Sequence, residues 1–198
     1  MAAHIPKQRI LHLKTENYDV RTITDDLVTD VMVGWYADTE IMRFMNDPMN
    51  LNTSQLKAAF QRYDGRKDIA LLIIDKKTGD HIGIFRVHIE PYQRQANSSV
   101  LIGNKEYWGK QVVLEVRQHL INQMFKSGQI HKIVGNVRGR NFPAHFNYTK
   151  QGFQKEGVRR QHYRNRDGEF EDIVEFGLLR EDWEKQQSKL TAENETKK

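Results

Sequence analysis

One stretch of this sequence combines the residue types that could bind an anionic ligand at a turn. A predicted strand, Ser98–Gly103, runs through Tyr107-Trp108-Gly109-Lys110 into a predicted helix. A glycine at such a turn lets the backbone approach a ligand, and the unpaired first-turn amides of the helix favour an anion. Most strand-to-helix turns bind nothing, so the turn alone does not define a site.

Three familiar catalytic patterns are absent from the sequence. The segment from Gly103 to Gly109 has five residues between the glycines where a Walker phosphate loop has four, and Gln111 stands where that loop has Ser or Thr. The sequence has no H-E-x-x-H motif and its eight His are scattered, which predicts no catalytic metal. It has no G-x-S-x-G elbow either.

The order of predicted elements indicates a mixed α/β domain of the α+β type. Three consecutive strands in the middle of the chain connect as hairpins, which argues against a doubly wound sheet. Asp167-Gly168 is typical of a type I′ hairpin turn. The predicted strands are Arg9–Leu13, Tyr18–Ile23, Ile69–Asp75, Ile82–Ile89, Ser98–Gly103, His131–Val137, Glu156–Tyr163 and Asp172–Leu179, and the predicted helices are Thr24–Ala37, Thr53–Tyr63, Val112–Phe125 and Phe142–Lys150.

The most specific pattern is Asn141-Phe-Pro-Ala144-His-Phe-Asn-Tyr148-Thr-Lys150-Gln-Gly152-Phe153. Together with Tyr107–Lys110 before a helix, it resembles the GCN5-related N-acetyltransferase (GNAT) superfamily, and most closely the branch that includes ribosomal-protein N-terminal acetyltransferases. The resemblance covers the chain from Tyr18 to Trp183 and rests on the order and spacing of several short motifs. The matching positions are Asn141, Ala144, Tyr148, Lys150, Gly152 and Phe153, joined by Asp38–Met45, Glu156-Gly157, Arg159 or Arg160, Asp172, Leu178-Leu179 and Asp182-Trp183.

The resemblance implies a mixed, largely antiparallel sheet that is splayed near its middle, with about four helices. It implies an N-acetyltransferase that moves an acetyl group from acetyl-CoA to a primary amine, either a small molecule such as an amino sugar or polyamine, or a protein N-terminus. The coenzyme would lie between the strands Ser98–Gly103 and His131–Val137. The implied coenzyme-binding residues are Leu101, Ile102 and Gly103 along the pantetheine arm, Trp108, Gly109, Lys110, Gln111, Val112, Val113 and Leu114 near the pyrophosphate, and Asn141 and Tyr148 on the opposite side.

Two of these residues also have ordinary structural interpretations. The resemblance places the Tyr148 hydroxyl near the thioester sulfur, where it would protonate the leaving thiolate, but Tyr148 could also be a core aromatic. Asn141 would hydrogen-bond the pantetheine arm, and it could equally cap the following helix. The two roles of Asn141 are compatible.

The resemblance does not identify a general base in this sequence. A strand over Ile82–Glu90 places Arg86, His88 and Glu90 on one face, and the resemblance puts His162 on a strand that borders the acceptor pocket. Either histidine could act as the base near neutral pH, either could be an ordinary surface residue, and a water chain could replace both.

Three positions depart from the family pattern. Gln111 and Val113 stand where small residues are usual in the pyrophosphate loop, and Leu101 stands where an acidic residue is often found. These departures favour an alternative function, in which the chain is a non-catalytic member that binds acyl-CoA or a protein partner.

Composition limits the remaining possibilities. The 198 residues carry a net charge of +5, and 38% of them are hydrophobic, enough for one sizeable core. The sequence has no Cys, which excludes disulfides and thiolate metal sites, and its longest apolar runs are far shorter than the ~20 residues that span a bilayer. We therefore expect a cytoplasmic protein with one domain over residues 1–183 and a polar, disordered tail over 184–198. The sequence does not decide between a monomer and a homodimer. Nucleic acid is a weak candidate partner because only the net charge supports it.

Overall fold

A computed structural model describes residues 8–196 of the chain as a mixed α+β protein. The strands are β1 (His12–Lys14), β2 (Tyr18–Thr22), β3 (Asp68–Asp75), β4 (His81–Glu90), β5 (Gln95–Ile102), β6 (Lys132–Arg138), β7 (Gln154–Arg164) and β8 (Phe170–Leu179). The helices are α1 (Asp30–Ala37), α2 (Thr53–Phe60), α3 (Val112–Lys126), α4 (Phe142–Lys150) and α5 (Arg180–Thr196), with short 3-10 turns at Asp25–Leu27, Ile41–Phe44 and Lys105–Tyr107.

The strands follow one another in the order β1-β2-β3-β4-β5-β6-β8-β7. Strands β1 to β4 pair antiparallel, and so do β6 with β8 and β8 with β7. The parallel pair is β5 with β6, whose register covers Gln95–Asn97 although β5 continues to Ile102. The predicted mixed, largely antiparallel sheet is confirmed.

Internal contacts divide the chain into two compact units. The first contains the chain up to Ile89 together with Ser98–His119, and the second contains Glu90–Asn97 together with the chain from Leu120 onward. The prediction of one domain over residues 1–183 stays a prediction.

The first unit packs α1 and α2 on the strands β3 and β4. Its buried side chains include Met32 and Trp35 of α1, Leu56 of α2 and Ile84 of β4. Helix α2 begins with a capping box, in which the Asn52 side chain accepts from the Gln55 amide and the Gln55 side chain accepts from the Asn52 amide. This box fixes the start of α2 one residue after Asn52.

The second unit packs α4 and α5 on the strands β6, β7 and β8. Its buried aromatic side chains include Tyr148 and Phe176, whose rings stack with centroids 5.3 Å apart. Trp183 of α5 lies 5.4 Å from Phe125 between ring centroids and donates its indole N–H to Asn122 at 2.8 Å. Trp183 therefore anchors the start of α5 to the end of α3.

The segment predicted as a single helix from Thr24 to Ala37 is divided. A 3-10 turn at Asp25–Leu27 is followed by two β-branched residues, Val28 and Thr29, with extended backbone, and α1 begins only at Asp30. Val28 is buried, so its side chain joins the core from an extended position. Two adjacent β-branched residues disfavour a continuous helix.

The hairpin between β7 and β8 also differs from the type I′ prediction. A type I′ turn needs a left-handed φ at both central residues, but in the pair Asp167-Gly168 only Gly168 has one, at 87°. The Asn165 side chain accepts from the amides of Asp167 and Glu169. This side chain organises a longer loop than the type I′ turn.

The C-terminal segment predicted as a disordered tail from residue 184 is helical in the structure, and α5 continues to Thr196. The Gln186 side-chain nitrogen lies 2.0 Å from the position that a Cβ atom would occupy at Gly152. Helix-forming residues and the Trp183 anchor explain the continuation, because packing stabilises a helix that propensity alone leaves marginal.

Candidate active site

The backbone directly after β5 is hydrogen-bonded to β4. The backbone amides of Gly103 and Asn104 both donate to the Ile82 carbonyl at 2.9 Å. A Cβ atom at Gly103 would lie 2.0 Å from the Trp35 indole, so the glycine is required by packing against α1. This close approach is a structural reason for Gly103 that does not involve a ligand.

The turn after β5 is tied to its surroundings by three side chains. Trp108 donates its indole N–H to the Ile102 carbonyl at 3.0 Å, and Tyr107 donates its hydroxyl to Asp75 of β3 at 3.0 Å. Lys105 lies 2.8 Å from a carboxylate oxygen of Asp38. These contacts hold the loop in one position before α3 begins.

The last residues before α3 adopt an uncommon backbone conformation. Gly109 has a φ of 77° and Gln111 a φ of 61°, both in the left-handed region that favours glycine. The first helical hydrogen bond runs from the Glu115 amide to the Gln111 carbonyl at 3.1 Å, so the amides of Val112 and Val113 precede the helical hydrogen-bond pattern. Gln111 thus keeps the backbone of a glycine although its side chain is not that of the family pattern.

Glu115 in the first turn of α3 is held by Asn17. One carboxylate oxygen accepts from the Asn17 backbone amide at 2.8 Å and the other from its side-chain amide at 2.9 Å. Burial opposes ionisation of Glu115, but these hydrogen bonds outweigh it and lower the pKa of the carboxyl group. They attach the start of α3 to the chain between β1 and β2.

In the second unit, Asn141 and Tyr148 lie at the two ends of α4. The Asn141 side chain accepts from the Ala144 amide at 3.3 Å and caps the helix, as one of its two interpretations predicts. Tyr148 is 3% exposed, and its hydroxyl lies 2.6 Å from the position that a Cβ atom would take at Gly135 of β6. The ring is therefore buried, with its hydroxyl against the β6 backbone, and burial is common to both interpretations of Tyr148.

The two candidate histidines have different partners. In the first unit, Nδ1 of His88 lies 2.6 Å from an Asp68 carboxylate oxygen. In the second unit, Nε2 of His162 lies 2.6 Å from an Arg159 guanidinium nitrogen. Because a guanidinium can only donate, Nε2 of His162 must accept that hydrogen bond with the lone pair that a base would need.

The structure also gives Arg86 partners that the sequence did not indicate. Arg86, predicted on the His88 face of β4, donates to Asp47 at 2.6 Å and to the Tyr36 hydroxyl at 3.2 Å. Burial opposes the charge of Arg86, but Tyr36 and Asp47 outweigh it and raise the pKa of the guanidinium. Asp47 and Asp68 lie in segments without a recognisable local motif, and no periodicity pointed to them.

The predicted site residues are distributed between the two units. Leu101–Gly103, Trp108–Leu114 and His88 belong to the first unit, whereas Asn141, Tyr148 and His162 belong to the second. Within residues 8–196, no group of three or more His, Asp or Glu is arranged to hold a metal ion. In the same part of the chain, no helix has the length and hydrophobicity needed to cross a membrane.

Comparison with known proteins identifies the class of enzyme. The family model described as an acetyltransferase (GNAT) domain matches residues 19–154, which include the β5–α3 turn and all of α4. The chain belongs to the GNAT acetyltransferase family, and it is an acetyl-CoA-dependent acyltransferase. The family predicted from the motifs is confirmed.

Individual relatives agree with this assignment. The chain is 28% identical over 164 residues to the uncharacterized N-acetyltransferase p20 of Bacillus licheniformis, which corresponds to 78% of this chain and 88% of that protein. A ribosomal-protein-S5-alanine acetyltransferase from Vibrio fischeri superposes with a TM-score of 0.76 at 20% identity, covering 87% of this chain and 98% of the other. A spermidine N-acetyltransferase from Vibrio cholerae, solved with CoA and spermine, gives 0.75 at 17% identity, with 84% and 98% covered. At these identities the two structures show a common fold.

Proposed function

We propose that this protein transfers an acetyl group from acetyl-CoA to a primary amine by direct attack of the amine on the thioester. The acceptor would be a small-molecule amine or a protein N-terminus. The observation that carries the proposal is the turn into α3, where Gly109 and Gln111 take left-handed conformations directly before the first helical residue, Val112. Such a helix start offers amide donors and the positive end of the helix dipole to a phosphate.

The side chains around this turn suit a pyrophosphate. Lys110 is exposed, and its ammonium group lies 5.1 Å from the Tyr107 ring centroid, which places a positive charge beside the start of α3. Val112 is buried and packs inward, so the helix presents its backbone rather than a side chain at this point. The Lys110 charge and the positive end of the helix dipole favour a bound anion over a neutral ligand.

The pantetheine arm has fewer backbone partners on β5 than the resemblance implies. The Gly103 amide donates to Ile82 and the Ile102 carbonyl accepts from Trp108. An arm that pairs along Leu101–Gly103 would have to use other groups of this segment. In the second unit, the Asn141 oxygen accepts from the Ala144 amide of α4, so its NH₂ group is the part that would donate to the arm.

The proton transfers are assigned to Tyr148 and His88. As the amine nitrogen bonds to the carbonyl carbon and the carbon–sulfur bond breaks, Tyr148 would donate its proton to the departing sulfur. His88 would take the proton that the amine loses. The Asp68 carboxylate accepts a hydrogen bond from Nδ1 of His88 and so favours the tautomer in which Nε2 is the accepting nitrogen.

The Gln111 backbone argues against the non-catalytic alternative. That alternative rests on Gln111, Val113 and Leu101, and for Gln111 the backbone already has the left-handed conformation that a glycine would adopt. Its side chain is exposed rather than packed over the helix start. At Gln111 the departure from the family pattern therefore lies in the side chain, and the departures at Val113 and Leu101 still favour the alternative.

Thiol release from acetyl-CoA tests this proposal. Wild-type protein is incubated with acetyl-CoA and, in turn, an alkyl diamine, an amino sugar and a short peptide with a free N-terminus. Each has a matched control whose amines are already acetylated. We expect free thiol with at least one primary amine and background release with its acetylated control. Equal release with both forms, or none with any amine, would contradict the proposal. A cytoplasmic location and a homodimer remain predictions that this assay does not address.

A further inference from the structure

A buried ion pair joins the last residue of β6 to the start of β8. The Arg138 guanidinium lies 3.9 Å from a Glu171 carboxylate oxygen, and the two side chains are only 5% and 7% exposed. The same guanidinium lies over the Tyr163 ring of β7, 3.7 Å from its centroid. Burial lowers the pKa of Arg138, but a guanidinium stays protonated at neutral pH. The second unit therefore holds a positive charge in its interior.

Residues of two neighbouring strands fix the Arg138 side chain. In the register of the sheet, Tyr163 of β7 is paired with Glu171 of β8. Arg138 is paired with Ile173, which is two residues from Glu171 along β8 and therefore on the same face. The other Glu171 oxygen accepts from the Asn165 side chain at 3.0 Å. Arg138 is thus connected to the loop between β7 and β8.

The backbone of Arg138 holds the start of α4. Its carbonyl accepts from the Asn141 amide at 2.9 Å and from Nε2 of His145 at 3.1 Å. Because a carbonyl can only accept, this nitrogen of His145 carries the proton. The Asn141 side-chain oxygen accepts from the Ala144 amide at 3.3 Å, and its NH₂ group is the donor that remains. The position of that NH₂ group therefore depends on Arg138 as well as on α4.

Stability alone does not explain a buried ion pair at this place. Taking two charges out of water costs free energy, and apolar residues of similar volume are often as stabilising or more so. The Glu171 oxygen that lies 3.9 Å from Arg138 has no hydrogen-bond partner among residues 8–196, so hydrogen bonds to this oxygen do not offset the cost. The pair does give the Arg138 side chain a fixed direction directly before the turn into α4.

We propose that Arg138 is a positioning residue for coenzyme binding, because its buried side chain fixes the turn before α4 and with it the Asn141 NH₂ group that donates to the pantetheine arm. The inference rests on the proposed function, which assigns that donor to Asn141. A purely structural ion pair would change stability, and any effect on CoA affinity would be the same with or without the Asn141 side chain. A positioning residue changes CoA affinity only as long as Asn141 can donate.

Calorimetry of CoA binding to the full-length protein measures this dependence in a double-mutant cycle. One variant combines Arg138→Met with Glu171→Gln, which removes both charges together and keeps an oxygen for Asn165. The other is Asn141→Ser, which removes the NH₂ group and keeps a capping oxygen. We expect each to raise the Kd for CoA at least about fivefold. In the Asn141→Ser background, removing the ion pair should change the Kd by less than about twofold.

A second ion pair near the same turn provides a matched control. Arg140 lies 2.9 Å from Glu169, and these side chains are 61% and 57% exposed. Arg140→Met combined with Glu169→Gln makes the same two substitutions in an exposed pair. We expect this control to bind CoA like wild type, because an exposed ion pair contributes little. An equal loss of affinity in the control would show a general effect of charge on the anionic coenzyme and would overturn the inference.

Melting temperatures show whether the variant without the buried pair folds. If it does not, Tyr163→Leu tests the same prediction, because it removes the ring under the Arg138 guanidinium and leaves both charges in place. An unchanged Kd in the folded variant or in Asn141→Ser would overturn the inference. The same fold-change in the wild-type and Asn141→Ser backgrounds would overturn it as well.

Failure of this inference is distinct from failure of the proposed function. Thiol release with an amine, combined with additive changes in the cycle, contradicts only the positioning role of Arg138. The expected dependence on Asn141 without thiol release contradicts only the acetyl transfer. Wild-type protein that does not bind CoA would contradict both.

Discussion

Replacing Gln111 by glycine should stabilise the protein. The Gln111 φ of 61° lies in the left-handed region, which costs a residue with a Cβ atom about 1–2 kcal/mol and costs glycine nothing. About 0.4–1 kcal/mol of this gain in the free energy of unfolding is lost, because a glycine gives the unfolded chain more conformational freedom. The net expectation for Gln111→Gly is a gain of about 0.5–1 kcal/mol in the free energy of unfolding. For a chain of 198 residues, this corresponds to a rise in Tm of about 1–4 °C.

Two further variants, Gln111→Ser and Gln111→Ala, separate backbone strain from helix capping. Gln111 precedes the first residue of α3, a position where serine is a slightly better cap than glycine and alanine a poor one. If the left-handed backbone dominates, stability follows the order glycine, serine, alanine, because serine and alanine keep the strain. If capping dominates, serine is at least as stable as glycine.

The assay is chemical denaturation of the variants, with Lys110 as the control position. Lys110 has no left-handed φ, so Lys110→Gly should be less stable than Lys110→Ala because glycine has more freedom in the unfolded chain, the reverse of the order at Gln111. A Gln111→Ser protein as stable as Gln111→Gly would refute the reasoning. Because the Gln111 backbone is already left-handed, we also expect the Kd for acetyl-CoA to change by no more than about threefold in Gln111→Gly.

Three other predictions follow from contacts described above. Tyr148→Phe should lower kcat at least about tenfold, an added barrier of about 1.4 kcal/mol, with Tm and the KM for acetyl-CoA unchanged; normal steady-state kinetics would leave the hydroxyl without a catalytic role. Truncation after Trp183 removes Gln186, whose side chain packs over Gly152, and should lower Tm by about 2 °C or more, whereas truncation after Ser188 keeps that contact and should melt like wild type. Because the folded-state pKa of Glu115 is lowered from its usual value of 4.5, its stabilisation is present above that pH and is lost as the pH falls through the folded pKa. Glu115→Gln should therefore melt below wild type at pH 7 and equal it once Glu115 is protonated, and a Tm difference that persists in acid would exclude this linkage.

Elements with strong local signals were predicted closely. The α4 bounds, Phe142–Lys150, coincide with the prediction, because Pro143 fits the first turn and Gly152 follows the end. The predicted α3 ends one residue early, at Phe125 instead of Lys126. In both helices the apolar spacing and the terminating residues lie in or directly beside the segment.

Features that depend on distant residues were not predictable from one sequence. The Arg86–Asp47 pair joins residues 39 positions apart, and the His88–Asp68 pair joins neighbouring strands. No local pattern indicates Asp47 or Asp68 as a partner in these pairs. The helical state of residues 184–196 likewise depends on contacts, with Trp183 and Gln186 against α3 and the end of α4.

The backbone at Gln111 shows a different limit of sequence reasoning. Glutamine rarely adopts a left-handed φ, so its type argues against the conformation that the structure shows. The family pattern has a small residue at this position, so Gln111 suggested a weakened pyrophosphate site. The structure instead shows a left-handed backbone at Gln111, the conformation that a glycine adopts without strain.

The most direct test of acetyl transfer to an amine is the fate of the acetyl group. Acetyl-CoA with an isotopically labelled acetyl group is incubated with wild-type protein and the amine that gives most thiol release, and the products are analysed by mass spectrometry. If the protein is an amine N-acetyltransferase, the label appears on the acceptor nitrogen in a one-to-one ratio with free CoA. Label found only as free acetate, or an unlabelled acceptor beside intact acetyl-CoA, would contradict it.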